Sequence, residues 1–214
     1  MTLQEELQAM REKAASTDLF QIHETVTEDL RRTNKLANVP LVGEVAPPFS
    51  LPDEGNHLVS SISLLEKGPL IISFFRGDWC AFCNLELRAL QRSLAEFQKF
   101  GASLVGISPQ TVSYAHMVAD RRNVQYQVLS DAGNKIADSY GLMFTMPNEL
   151  RNAYKAFGVD IAQINNNPSS AEVPVPATFV VNTDGLVSYR FVDADYTKRA
   201  EPSDIIANLM AISA

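Results

Sequence analysis

Apolar and charged positions alternate at helical spacing over residues 1–37, with Leu3, Leu7, Met10 and Ala14, then Leu19, Ile22, Val26 and Leu30 before the basic pair Arg31-Arg32. The spacing predicts two helices. Between them, Ser16-Thr17-Asp18 offers side-chain oxygens that end the first and cap the second. Periodicity specifies a buried face but not its cover, so this segment either packs on the chain's own body or pairs with a second subunit. From Val39 the pattern changes, and Pro40, Gly43, Pro47, Pro48 and Pro52 make 40–56 a turn-rich connector. Residues 1–38 are therefore expected as a helical extension of a domain spanning 39–214.

A short helix over about 60–66 leads into Pro69-Leu70-Ile71-Ile72-Ser73-Phe74-Phe75, an apolar run of the length of a buried strand. Leu85, Leu87, Leu90, Leu94 and Phe97 then mark a long amphipathic helix ending near Phe100-Gly101. The pattern continues with a strand over 102–107, a helix from Ser108-Pro109-Gln110 to about Arg122, a strand over 126–129 and a short helix over 133–140. Residues 142–172 are less regular, with a helix over 147–157 and a loop of Asn165-Asn166-Asn167-Pro168-Ser169-Ser170, and read as an insertion. Strands over 178–181 and 186–192 flank Asn182-Thr183-Asp184-Gly185, the turn chemistry of an antiparallel hairpin. A last helix after Glu201-Pro202-Ser203-Asp204 presents Ile205, Ile206, Leu209 and Met210. Alternating strands and helices closed by a hairpin and a helix predict an α/β fold with a mixed central sheet flanked by helices, a plan similar to the thioredoxin-like fold.

A length of 214 residues fits one well-filled domain plus an extension. The net charge of −7 opposes association with nucleic acid or anionic lipid. The amino terminus, Met1-Thr2-Leu3-Gln4-Glu5-Glu6-Leu7, holds acids where a signal peptide needs an apolar core, and the 69–75 run is far short of a membrane span. A cytoplasmic protein is expected. In that compartment two cysteines point to redox or catalytic use rather than to a structural staple.

The cysteines are Cys80 and Cys83, in Arg76-Gly77-Asp78-Trp79-Cys80-Ala81-Phe82-Cys83, between the 69–75 strand and the long helix. At a helix amino terminus, free amides and the helix dipole stabilise negative charge and lower a thiol's pKa from its ordinary ~8.5. Residues three apart share a helical face, so Cys83 can attack an oxidised Cys80 and close a disulfide. The expectation is an exposed nucleophile at Cys80 and a more buried resolver at Cys83. Trp79 and Phe82 flank the thiols as substrate platform or as core, Arg76 holds an anion or is simply solvated or ion-paired, and Asp78 is the alternative influence that would raise the Cys80 pKa by like charge. Zinc would need further ligands, and His23, His57 and His116 lie at no ligand spacing, so no metal is expected, and a thiol-disulfide cycle requires no other cofactor. A cysteine-histidine hydrolase would require the fold to bring a base to Cys80.

The run Phe75-Arg76-Gly77-Asp78-Trp79-Cys80-Ala81-Phe82-Cys83-Asn84-Leu85-Glu86-Leu87-Arg88-Ala89-Leu90 resembles the active-site region of peroxiredoxin-like proteins of the alkyl hydroperoxide reductase and thiol-specific antioxidant (AhpC/TSA) family. Val45 to Asp53 resembles that family's domain start, Gly106-Ile107-Ser108-Pro109 its following strand end, and Ala177 to Gly185 its closing hairpin. The resemblance implies a thioredoxin-like fold, hydroperoxide reduction through the thiols, and an external thiol reductant such as thioredoxin or glutathione. Where typical members place a peroxide-orienting threonine three residues before the reactive cysteine, this chain has Cys80 if Cys83 is aligned with that cysteine, which would exchange the two roles. Where they carry an arginine before the hairpin strand, this chain has Val175-Pro176, similar to the cis-proline of thioredoxins, whose neighbouring backbone binds an extended peptide or thiol. A thiol peroxidase leads on this reading. A protein disulfide oxidoreductase and a non-catalytic redox-sensing interaction protein are the alternatives, and a homodimer through residues 1–37 is a further expectation.

Overall fold

The computed structural model describes residues 1–165 and 171–213. In chain order its elements are α1 (Leu3–Ala14), α2 (Asp18–Arg32), β1 (Ser50–Pro52), β2 (Leu58–Ser60), α3 (Ser61–Leu65), β3 (Leu70–Phe74), α4 (Ala81–Lys99), β4 (Ser103–Ser108), α5 (Val112–Arg122) and β5 (Gln127–Ser130). They continue with α6 (Lys135–Ser139), β6 (Met143–Thr145), α7 (Asn148–Ala156), α8 (Ile161–Ile164), β7 (Glu172–Pro174), β8 (Ala177–Val181), β9 (Val187–Val192) and α9 (Pro202–Ile212).

The main sheet has the order β5-β4-β3-β8-β9. Strands β3, β4 and β5 run parallel, β8 pairs antiparallel with β3 and β9 antiparallel with β8, and Ile72 at the centre faces Val105 on one side and Phe179 on the other. The central strand β3 is apolar at nearly every position because both of its faces are covered. Alternation sorts its side chains: Leu70, Ile72 and Phe74 join Phe49, Val105, Phe179 and Tyr140 on one face, and Ile71 points to α4, α1 and α9 on the other.

On that second face α4 is the main cover, burying Leu87, Leu90 and Phe97. Leu3 and Leu7 of α1 enter the same cluster, with Ile205 and Leu209 of α9. Thr2 and Glu5 cap α1 reciprocally, and the Glu201 carboxylate accepts from the amides of Leu3 and Gln4, so its negative charge sits where the helix presents its orphan donors. Helix α2 instead joins α7 and the β6-β7 ribbon in a third apolar cluster, formed by Val26, Leu150, Tyr154, Val173 and Val175 among others. Residues 1–37 thus cover the chain's own body, which removes the unpartnered face that motivated a homodimer.

The thioredoxin-like plan expected from the element order is present. The short pairs β1-β2 and β6-β7 lie where a connector and an insertion were expected, since three-residue strands carry too few positions to show a period. The Asn/Ser loop, apart from Asn165, lies outside the described residues. No helix among the described residues is long and apolar enough to cross a membrane.

Candidate active site

The chain leaves β3 at Phe75, whose amide donates to the Ile107 carbonyl, and turns into α4 over Arg76 to Cys80. Gly77 makes the turn possible: its φ is +140°, and an added Cβ would lie 2.6 Å from Trp79 Nε1 and 2.9 Å from Gln110 Cδ. Gln110 then locks the loop, accepting from the Asp78 amide and donating to the Asp78 carboxylate, both at 2.9 Å. Asn84 in the first turn of α4 donates to the Asp78 carbonyl at 2.7 Å.

This loop delivers Cys80 to the N-cap of the 19-residue helix α4, with its Sγ 3.4 Å from the Cys83 amide. The sulfur therefore stands where orphan amides and the helix dipole favour an anion. Arg76 Nη2 donates to Cys80 Sγ at 3.1 Å, and Arg199 Nη2 donates to Cys83 Sγ at 3.3 Å. Arg199 also pairs through Nε with Glu86 at 2.6 Å, and the Thr178 hydroxyl donates to the other Glu86 oxygen at 3.1 Å. Both arginines, Glu86 and both sulfurs are buried.

Burial pushes each thiol up, but the two end on opposite sides of the ordinary range. At Cys80 burial is outweighed by a hydrogen bond from Cys83, the charges of Arg76 and Arg199 and the Arg76 hydrogen bond, so the thiol lies well below its usual pKa. At Cys83 burial is reinforced by the hydrogen bond to Cys80 and the negative charge there, and the thiol lies well above it. The two directions favour negative charge on Cys80 and the proton on Cys83. Burial also raises Glu86, against the opposing effects of Arg199 and Thr178.

A layer of rings lies over Arg76. Its guanidinium carbon is 4.3 Å from the Tyr196 ring centroid and 5.0 Å from that of Trp79. Tyr154 meets Trp79 edge to face at 4.8 Å and accepts a hydrogen bond from Arg76, and Phe82 meets Tyr196 edge to face at 5.3 Å. His23 of α2 stacks on Tyr196 at 4.0 Å, with Nε2 2.6 Å from the Tyr154 hydroxyl. Burial, with the nearby Arg76 charge adding to it, lowers the His23 pKa to about 2, so the ring is neutral and shares a single hydrogen bond between Nε2 and the Tyr154 hydroxyl.

The structure brings together Cys80, Cys83, Arg76, Trp79 and Phe82. Val175 and Pro176 stand between β7 and β8, where Val175 packs in the α2-α7 cluster that Trp79 borders. Two expectations are corrected. Cys80 is not the exposed partner of the pair, because the ring layer and Arg76 leave it 2% accessible. The Pro176 peptide bond is trans, the intrinsically favoured form, and Val175 is bound through its amide to the Leu142 carbonyl. The sequence reading missed Arg199, Glu86, Tyr154, Tyr196 and the role of His23. Only Glu86 left a signal, as an acid three residues after Cys83 on the buried stripe of α4.

A buried dithiol at the amino end of a helix, set on a mixed five-stranded sheet, defines a thioredoxin-like redox protein. Residues 42–190 match the AhpC/TSA family, and the chain belongs to that family. Among curated relatives it is 29% identical to the chloroplastic peroxiredoxin Q of Sedum lineare over 70% of this chain and 81% of that protein. It is 33% identical to the chloroplastic peroxiredoxin Q of Gentiana triflora over 47% of this chain and 46% of that one, so it spans about half the length of the latter. The fold is similar to that of the peroxidoxin BcpB of Mycobacterium tuberculosis, with a TM-score of 0.63 at 24% identity over 81% of this chain and 98% of the other. It is likewise similar to the Xanthomonas campestris bacterioferritin comigratory protein, with a TM-score of 0.57 at 16% identity over 78% and 92% of the two chains.

Proposed function

We propose that the protein is a thiol-dependent peroxidase that reduces hydroperoxides through a Cys80/Cys83 dithiol-disulfide cycle. The observation that carries this reading is the opposite displacement of two adjacent thiols: Cys80 is held as a thiolate by Arg76 and Arg199 while Cys83 keeps its proton one helical turn away. Family membership supports the peroxide as oxidant. If Cys83 is aligned with the reactive cysteine of typical members it becomes the attacking residue, but the electrostatics favour Cys80.

In the proposed cycle Cys80 Sγ attacks the distal peroxide oxygen, the O–O bond breaks, and the leaving alkoxide takes a proton to become an alcohol, or water from hydrogen peroxide. Cys80 is then a sulfenic acid. Cys83 attacks it, the S–S bond forms, and the Cys83 proton leaves with the sulfenic oxygen as water. Two electrons pass from the thiols to the peroxide, and an external thiol such as thioredoxin or glutathione returns them. The polar contacts of Arg76 suit a peroxide as well as a thiolate, with Trp79, Phe82, Val175 and Pro176 as the apolar surroundings. A protein disulfide oxidoreductase must present its reduced first thiol to a folded partner, and the burial of reduced Cys80 speaks against it; the external thiol of the peroxidase cycle meets the oxidised pair instead.

Stopped-flow mixing with stoichiometric hydrogen peroxide is expected to consume both thiols within seconds in the wild type. Cys80→Ser abolishes the reaction, and Cys83→Ser stops at one dimedone-trappable sulfenic acid on Cys80. No thiol loss in the wild type overturns the peroxidase reading, and a sulfenic acid on Cys83 reverses the two roles.

A further inference from the structure

Resting on that reading, we infer that His23, Tyr154 and Tyr196 form a size filter over Cys80, which makes small hydroperoxides the substrate class and excludes bulky hydroperoxides and disulfides. Cys80 is 2% accessible, and the layer above Arg76 is aromatic. Tyr154 and His23 are buried, whereas Trp79 and Tyr196 are half-buried and extend from the surface to the guanidinium. A reactant that approaches the sulfur along Arg76 passes between or past these rings. Hydrogen peroxide is little larger than water. Cumene hydroperoxide carries a phenyl ring that must displace a ring already packed on Arg76, and a disulfide-bearing peptide must displace more.

Of the three rings, Tyr154 lies within the family-matched residues 42–190 and the other two lie outside them. His23 comes from α2, and Tyr196 from the segment between β9 and α9. Two anchors fix that segment: Arg11 of α1 donates to the Asp195 carboxylate at 2.6 Å and to the Thr197 hydroxyl at 3.0 Å, and Arg199 donates to the Tyr196 carbonyl. The Tyr154-His23 hydrogen bond and the His23-Tyr196 stack then tie α7, α2 and this segment across the sulfur. The amino-terminal helices thus select the substrate as well as cover the core.

The test compares wild type, Tyr196→Ala and Arg11→Met, the last loosening the anchor while leaving every ring in place. Thiol loss is followed by stopped flow with hydrogen peroxide, tert-butyl hydroperoxide and cumene hydroperoxide, each rate normalised to that with free glutathione. Wild type is expected to favour hydrogen peroxide over cumene hydroperoxide by at least about tenfold; Tyr196→Ala should remove most of that ratio and Arg11→Met part of it, chiefly through faster reaction of the bulky peroxide. Alkylation by iodoacetamide and exchange with the larger dithiobis-nitrobenzoate, normalised in the same way, report the filter without peroxidase chemistry. Should no peroxide react, the functional reading falls and this second series alone decides the filter. Equal normalised rates in wild type, or an undiminished ratio in folded Tyr196→Ala, overturn it. If circular dichroism shows Tyr196→Ala unfolded, Arg11→Met decides, and an unchanged ratio there overturns it.

Discussion

At Cys80 two effects oppose each other: burial favours the neutral thiol, and two guanidinium groups with a helix terminus favour the anion. Charge wins because Arg76 and Arg199 are themselves buried, where their fields are weakly screened. The nearby His23 meets the reverse outcome, since burial and the Arg76 charge both disfavour its cation. An unfolded histidine titrates near ~6.5, so below that pH the unfolded chain binds a proton that the folded one refuses until about 2. The stability that His23 contributes is complete above pH ~6.5 and is lost as pH falls, by up to about 1.4 kcal/mol per pH unit. Urea unfolding across this window should therefore show a shallower acid decline for His23→Gln than for wild type. Identical declines would show that His23 titrates normally in the folded protein.

At the scale of elements, legibility followed length. The long stripe of α4 and the apolar run of β3 were readable because burial repeats over many positions. Three-residue strands and the trans peptide before Pro176 left no comparable trace. Cys80 and Cys83 could be named from spacing, but their surroundings could not: Arg199 lies 116 positions beyond Cys83, and only the return of the chain past β9 brings them together. What covers α1 and α2 was also open in the sequence, since periodicity is silent about the partner. The structure gives Leu7 a core position, 4% exposed, against α4 and α9. Leu7→Ala should cost about 2–5 kcal/mol in denaturant unfolding. A cost near zero would show α1 detached from the body.

Over the whole molecule, the family-matched span supplies most of the sheet, the dithiol, Arg76, Trp79 and Tyr154, while the flanking segments supply Arg199, His23 and Tyr196. The chain's net charge of −7 is thus no guide to its site, where two buried cations meet one carboxyl and one thiolate. The claim on which the functional account rests is that Cys80 alone carries this negative charge at neutral pH. The thiolate ultraviolet absorbance, titrated in the reduced wild type and in each single Cys→Ser variant, tests it directly. The account predicts a step well below the ordinary ~8.5, absent from Cys80→Ser and retained in Cys83→Ser. A single step in the ordinary thiol range, or a low step that survives Cys80→Ser, would contradict it.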